Sequence, residues 1–175
     1  MAHSTLRLHG LLCSGEFSSL FLAQRNDDHE ITVAKCFNRA CVRRNPEMLR
    51  RILREKWVME TLCRLPHPFI VGHRYAHIDH DTVFLGMENV GGGDIFSLLQ
   101  KRGPFSPEQV RCYAGELCLA LGHVHSFDIM YRDLKVNALP HPTYAPRKPN
   151  PPDGNPSHTT PFACLFWLGR SRKTS

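Results

Sequence analysis

Apolar positions fall in short runs over residues 6–37: Leu11-Leu12, Leu20-Phe21-Leu22 and Ile31 to Phe37, broken by Gly15 and by Asn26-Asp27-Asp28. Runs of this length between turn formers predict an antiparallel meander of three strands. From Pro46 to Leu62 the period changes. Met48, Ile52, Met59 and Leu62 recur at helical spacing, so an amphipathic helix is expected with these side chains on one face. The runs Ile70 to Ile78 and Thr82 to Glu88, joined by Asp79-His80-Asp81, predict a second pair of strands. After Gly91-Gly92-Gly93 a short helix is expected over Asp94 to Lys101. A long one should run from Pro107 to about Ser126, with Ser106 as its N-cap and Pro107 in the first helical position. Strands first, one helix among them, and helices afterwards make the fold class α+β.

The pattern ends after Leu139, where Pro140, Pro142, Pro146, Pro149, Pro151, Pro152, Pro156 and Pro161 crowd a stretch without any period. No packed structure is expected there. The formal charge of +6 invites a nucleic-acid reading, but residues 136–175 hold five basic side chains against one acid, so the excess is concentrated in this segment. Arg39, Arg43, Arg44, Arg50, Arg51, Arg54 and Lys56 form a second basic cluster. It has no interleaved aromatics or binding motif and reads as a solvated helix face, so no nucleic-acid partner is expected. The seven cysteines are odd in number and lack C-x-x-C spacing, which suits reduced thiols in a cytoplasmic or nuclear protein. His73, His77 and His80 lie along a strand and its turn, and no metal site is assigned to them. No apolar run approaches the roughly 20 residues of a membrane span.

Two features point to chemistry. Glu55 interrupts the apolar face of the first long helix, between Ile52 and Met59. A carboxylate there is costly to bury without a cation, so a basic partner is expected for it. Farther on, Tyr131-Arg132-Asp133-Leu134-Lys135 follows the second long helix; read alone, an R-D-x-K string is more often a surface salt-bridge pair. Taken with Val33-Ala34-Lys35, with Met87-Glu88-Asn89-Val90-Gly91-Gly92-Gly93-Asp94 and with Arg102-Gly103-Pro104-Phe105-Ser106, it resembles the AGC (cyclic-nucleotide-dependent-kinase-like) serine/threonine protein kinases over about residues 6–135.

That resemblance implies a kinase N-lobe and hinge over residues 1–90, a C-lobe over 91–139 that stops in its catalytic loop, and an unrelated proline-rich tail over 140–175. It implies ATP and Mg2+ as cofactors, protein substrates with a regulatory protein partner left open, and transfer of the γ-phosphoryl group to serine or threonine. Asp133 would orient the substrate hydroxyl and Lys135 would steady the transferred group. Lys35, held by Glu55, would grip the ATP phosphates. Leu12, Cys13, Gly15, Phe17, Leu20 and Val33 would cover the nucleotide; the backbone at Glu88 and Val90 would pair with adenine, Met87 would sit at the back of the pocket, and Asp94 would face the ribose.

The sequence departs from the family pattern in two places. The phosphate-covering G-x-G-x-F-G loop falls on Cys13-Ser14-Gly15-Glu16-Phe17-Ser18, so only its middle glycine is present. Five residues after Asp133, where the family carries an Asn that holds magnesium, stands Ala138, and no D-F-G follows. Lys135-Val136-Asn137 can be encoded as AAG followed by GTNAAY, which resembles a splice donor, so a retained intron or mispredicted exon boundary is one expectation. A non-catalytic nucleotide- or partner-binding fragment is the other alternative, and negligible phosphotransfer is expected from the polypeptide by itself.

Overall fold

A computed structural model describes residues 6–91, 95–132 and 134. The chain divides into two compact units, Met1–Leu65 with Gly72–Asn89, and Pro66–Val71 with Val90–Ser175.

The first unit is built on an antiparallel sheet of β1 (Leu6–Ser14), β2 (Ser19–Arg25), β3 (Ile31–Asn38), β4 (His73–Ile78) and β5 (Thr82–Glu88), in the order β1-β2-β3-β5-β4. The expected three-strand meander and the second strand pair are both present. The β4 strand starts three residues later than the expected Ile70. The backbone turns there, with Ile70 N–H donating to the His67 carbonyl, and ladder pairing starts only where Glu88 N–H donates to the Gly72 carbonyl. Ile70 and Val71 are buried all the same, and their run therefore reads as strand from sequence.

Cross-strand partners project to one face of a sheet. On one face Phe37 and Leu85 form a core with Met48 and Ile52 of helix α2 (Pro46–Leu62) and with Val42 of helix α1 (Arg39–Arg44). On the other, Leu6, Ala23, Ala34 and Phe84 pack with Cys36 and Tyr75. Tyr75 lies across Gly86, where an added Cβ would sit 2.2 Å from the ring carbon Cζ. The Tyr75 hydroxyl is 2.9 Å from the Thr32 hydroxyl, which anchors the ring in that position.

Helix α1 was not legible in the apolar pattern. It exists because Asn38 caps it, accepting from Cys41 N–H, and because one buried side chain, Val42, holds it to the core. Asn45 then caps α2 through the backbone N–H groups of Glu47 and Met48, with Pro46 in the first turn. All four residues assigned to the apolar face of α2 are buried. The arginine cluster is mainly the solvated side of these two helices, where Arg50 and Arg51 reach Glu47 and Lys56 reaches Glu60. Arg39 differs: its guanidinium donates to the carbonyls of Asp79 and His80 in the β4–β5 turn. Leu49, Leu53 and Trp57 form an exposed apolar stripe on α2.

The second unit holds α3 (Ile95–Arg102) and α4 (Pro107–His125). The α4 helix opens with the expected Ser106 cap, here a full capping box: Gln109 N–H donates to the Ser106 hydroxyl and the Gln109 side chain accepts from Ser106 N–H. Only Ala120 and Val124 of α4 are buried, while Val110 and Leu119 are exposed. Near its C-terminal end His123 stacks on His67 with ring centroids 4.8 Å apart and meets Phe127 edge-on. No described helix is long and apolar enough to cross a membrane.

Candidate functional site

The register of β1, β2, β3 and β5 sets Cys13, Leu20, Lys35 and Leu85 in one transverse row. The neighbouring row on the same face contains Leu22, Val33 and Met87. Four of the residues assigned to the site, Cys13, Leu20, Val33 and Met87, therefore share a face with Lys35. That arrangement follows from strand alternation and pairing alone.

Lys35 is the centre of this face. Its side chain is 3% exposed, and its Nζ donates to both carboxylate oxygens of Glu55, 2.6 Å to Oε1 and 2.8 Å to Oε2. The Glu55 carboxylate projects from α2 onto β3, where the interrupted apolar pattern of the helix placed it. Burial pushes the Glu55 carboxyl above its ordinary range, and the Lys35 ammonium draws it part of the way back. Two charges this far from water are stable only because each satisfies the other, and either one alone would be an uncompensated buried ion. Lys35 Nζ also lies over the Phe37 ring, 5.3 Å from its centroid. Sequence reasoning passed over Phe37 as a functional residue, although strand alternation puts it two positions along on the side of Lys35. Cys36, between them, faces the opposite side. Burial pushes its thiol up to about 11, so it stays protonated near neutral pH and offers no nucleophile.

The β1–β2 connection, residues 15–18, closes tightly: Gly15 N–H donates to the Ser18 carbonyl at 2.8 Å, and the Ser14 and Ser19 hydroxyls are 3.1 Å apart. Phe17 is exposed at this turn. Leu12 falls at the irregularity between the Leu11 and Cys13 pairings and is also exposed, so the register does not bring it into the Lys35 row. Glu88, at the end of β5, donates its N–H to Gly72 and lies 3.7 Å from Arg74. Val90 is half-buried and belongs to the second unit.

Asp133, Lys135 and Asp94 lie outside the described residues, as does the whole segment 136–175. Immediately before Asp133, Tyr131 is buried and Arg132 has a left-handed backbone, φ 62°. Such a conformation costs a non-glycine residue on the order of 1 kcal/mol and is concentrated at functional loops. Among the described residues no group of three or more His, Cys, Asp or Glu is placed to hold a metal ion, the three histidines of β4 and its turn included.

A family model described as "Protein kinase domain" matches residues 6–139. Over 126 residues the chain is 36% identical to the probable serine/threonine protein kinase IRE4 of Arabidopsis thaliana, covering 71% of this chain and 12% of that protein. It is 34% identical over 135 residues to ribosomal protein S6 kinase alpha-3 of Homo sapiens, covering 75% and 18%. Serine/threonine-protein kinase SCH9 of Saccharomyces cerevisiae is 33% identical over 125 residues, covering 71% and 15%. The chain thus spans between 12% and 18% of the length of these relatives.

Proposed function

This chain belongs to the protein kinase domain family, on the side of the AGC-type serine/threonine kinases, and from that premise we propose that it carries the nucleotide-gripping half of a serine/threonine kinase site. The carrying observation is the buried Lys35–Glu55 pair, set on a sheet face with Cys13, Leu20, Val33 and Met87. In this reading the apolar side chains enclose adenine, with Glu88 and Val90 beside it and Asp94 at the ribose. Leu12, Gly15 and Phe17 belong to the covering turn. Lys35 holds ATP phosphates, and Glu55 fixes its ammonium so that no rotamer freedom is lost on binding.

The residues present suit the nucleotide better than the metal. Magnesium would neutralise phosphate charge in such a site, but Ala138 replaces the expected Asn and the 175 residues contain no D-F-G. Asp133 would orient a substrate hydroxyl and Lys135 would steady the phosphoryl group. The 175-residue polypeptide, assayed by itself, is expected to phosphorylate serine or threonine peptides negligibly, and transfer that disappears in Asp133→Asn would overturn this. Substrate proteins and any regulatory partner belong to the reading of the family as a whole. The six described cysteines are free thiols, which accords with a cytoplasmic or nuclear location.

The direct test is binding of a fluorescent ATP analogue to the whole chain without metal. Saturable binding, displaced by ATP and weakened at least about tenfold in Lys35→Arg, is expected. Arginine keeps the buried charge opposite Glu55 but cannot reproduce the compact ammonium. Equal binding by Lys35→Arg and the unaltered chain would remove Lys35 from the phosphate site.

A further inference from the structure

The Lys35 ammonium has two neighbours of opposite kinds. The Glu55 carboxylate, carried by α2, accepts two of its hydrogen bonds, and the Phe37 ring lies beneath it from the same strand. An ammonium within about 6 Å of a ring centroid is attracted to the negative face of the aromatic quadrupole, and the attraction is stronger when water is excluded. Lys35 at 3% exposure meets that condition. Phe37 is itself 5% exposed and packs with Val42 of α1, with Met48 and Ile52 of α2 and with Leu85. A single side chain thus contacts both the lysine and the residues on which the helix is seated. An aliphatic residue of similar volume would fill the core equally well but would present no negative face to the cation.

We propose that Phe37 is a positioning residue for Lys35, holding the ammonium over β3 through its ring face while the same side chain seats α2. The position of the lysine then depends on the seating of the helix through packing as well as through Glu55. This goes beyond the nucleotide-gripping reading and uses it only in the last arm of the test.

The test is trace acylation of the full chain with acetic anhydride at constant pH, read lysine by lysine by mass spectrometry with exposed Lys56 as internal reference. Lys35 labelling relative to Lys56 is expected to rise about fivefold in Phe37→Leu and Phe37→Met, and to stay within about twofold of the unaltered chain in Phe37→Tyr, which keeps the ring. Equal Lys35 labelling in the Leu and Tyr variants overturns the proposal. So does a rise matched by faster amide exchange throughout β3 and α2, because that is the signature of a core role alone. Should the substituted chains not fold, the unaltered one still decides: its Lys35 ε-methylene protons are expected upfield of those of Lys56 in the NMR spectrum, under the ring current of Phe37. Unshifted protons refute the contact. A final arm adds ATP during acylation. If Lys35 is not protected while the pattern across the Phe37 variants holds, the nucleotide reading fails and the positioning role stands.

Discussion

Lys35→Met is expected to destabilise the chain by about 3–5 kcal/mol at neutral pH, because it leaves the Glu55 carboxylate buried without a cation. The loss should depend on pH, with a sign fixed by linkage. The Glu55 carboxyl is already raised by burial, and the Lys35 ammonium is what pulls it back. Without that cation it rises further, so the folded variant binds a proton more tightly than the unfolded chain does. Stability contributed by such a proton is present below the ordinary carboxylate range and is lost as pH rises through the raised value. Urea unfolding at pH 5 and pH 8 should therefore show the larger deficit at pH 8. The double variant Lys35→Met/Glu55→Leu replaces the pair by apolar side chains and should recover most of the lost stability. A deficit that is the same at both pH values, or a double variant no more stable than the single one, would show that the pair is not isolated from water.

Leu85→Ala should cost about 2–5 kcal/mol, comparable to the loss of the ion pair but without pH dependence. Leu85 is 1% exposed, on the β5 strand that lies between β3 and β4, and packs with Phe37, Val42, Met48 and Ile52. Truncation leaves a cavity under α2 whose walls are strands on one side and helix on the other, so neither can collapse freely to fill it. Leu85→Met preserves volume and should cost less than about 1.5 kcal/mol. Midpoints of urea unfolding compared at constant m-value would read both. If the two variants lose the same amount, the site is not close-packed.

Glu55 was legible in the sequence because burying a charge on an otherwise apolar helix face is conspicuous, and Lys35 because Val33-Ala34-Lys35 resembles the strand lysine of the kinase family. The strands and both long helices were legible because their periods are unambiguous. Helix α1 was not, since it is six residues long and fastened to the core by Val42 alone, leaving no period to read. The early start assigned to β4 failed for a related reason. Ile70 and Val71 are apolar because they are buried, and burial does not require a ladder. Phe37 was missed as a partner of Lys35 because an aromatic residue in a core strand reads as packing, and only the distance from its ring to the ammonium separates the two roles. Leu12 is assigned to the nucleotide by the resemblance alone, since the irregular pairing between Leu11 and Cys13 takes it out of the alternation that joins Cys13 to the Lys35 row.

The missing side chain at Gly86 indexes the sheet. With Tyr75 lying flat in that vacancy, β4 cannot slip along β5 by a two-residue step without driving a phenol ring into the space of Phe84 or Glu88. The strand that carries Met87 and Glu88 is thus ratcheted into one setting by an absence of atoms, and positions 75 and 86 are free to change only as a pair.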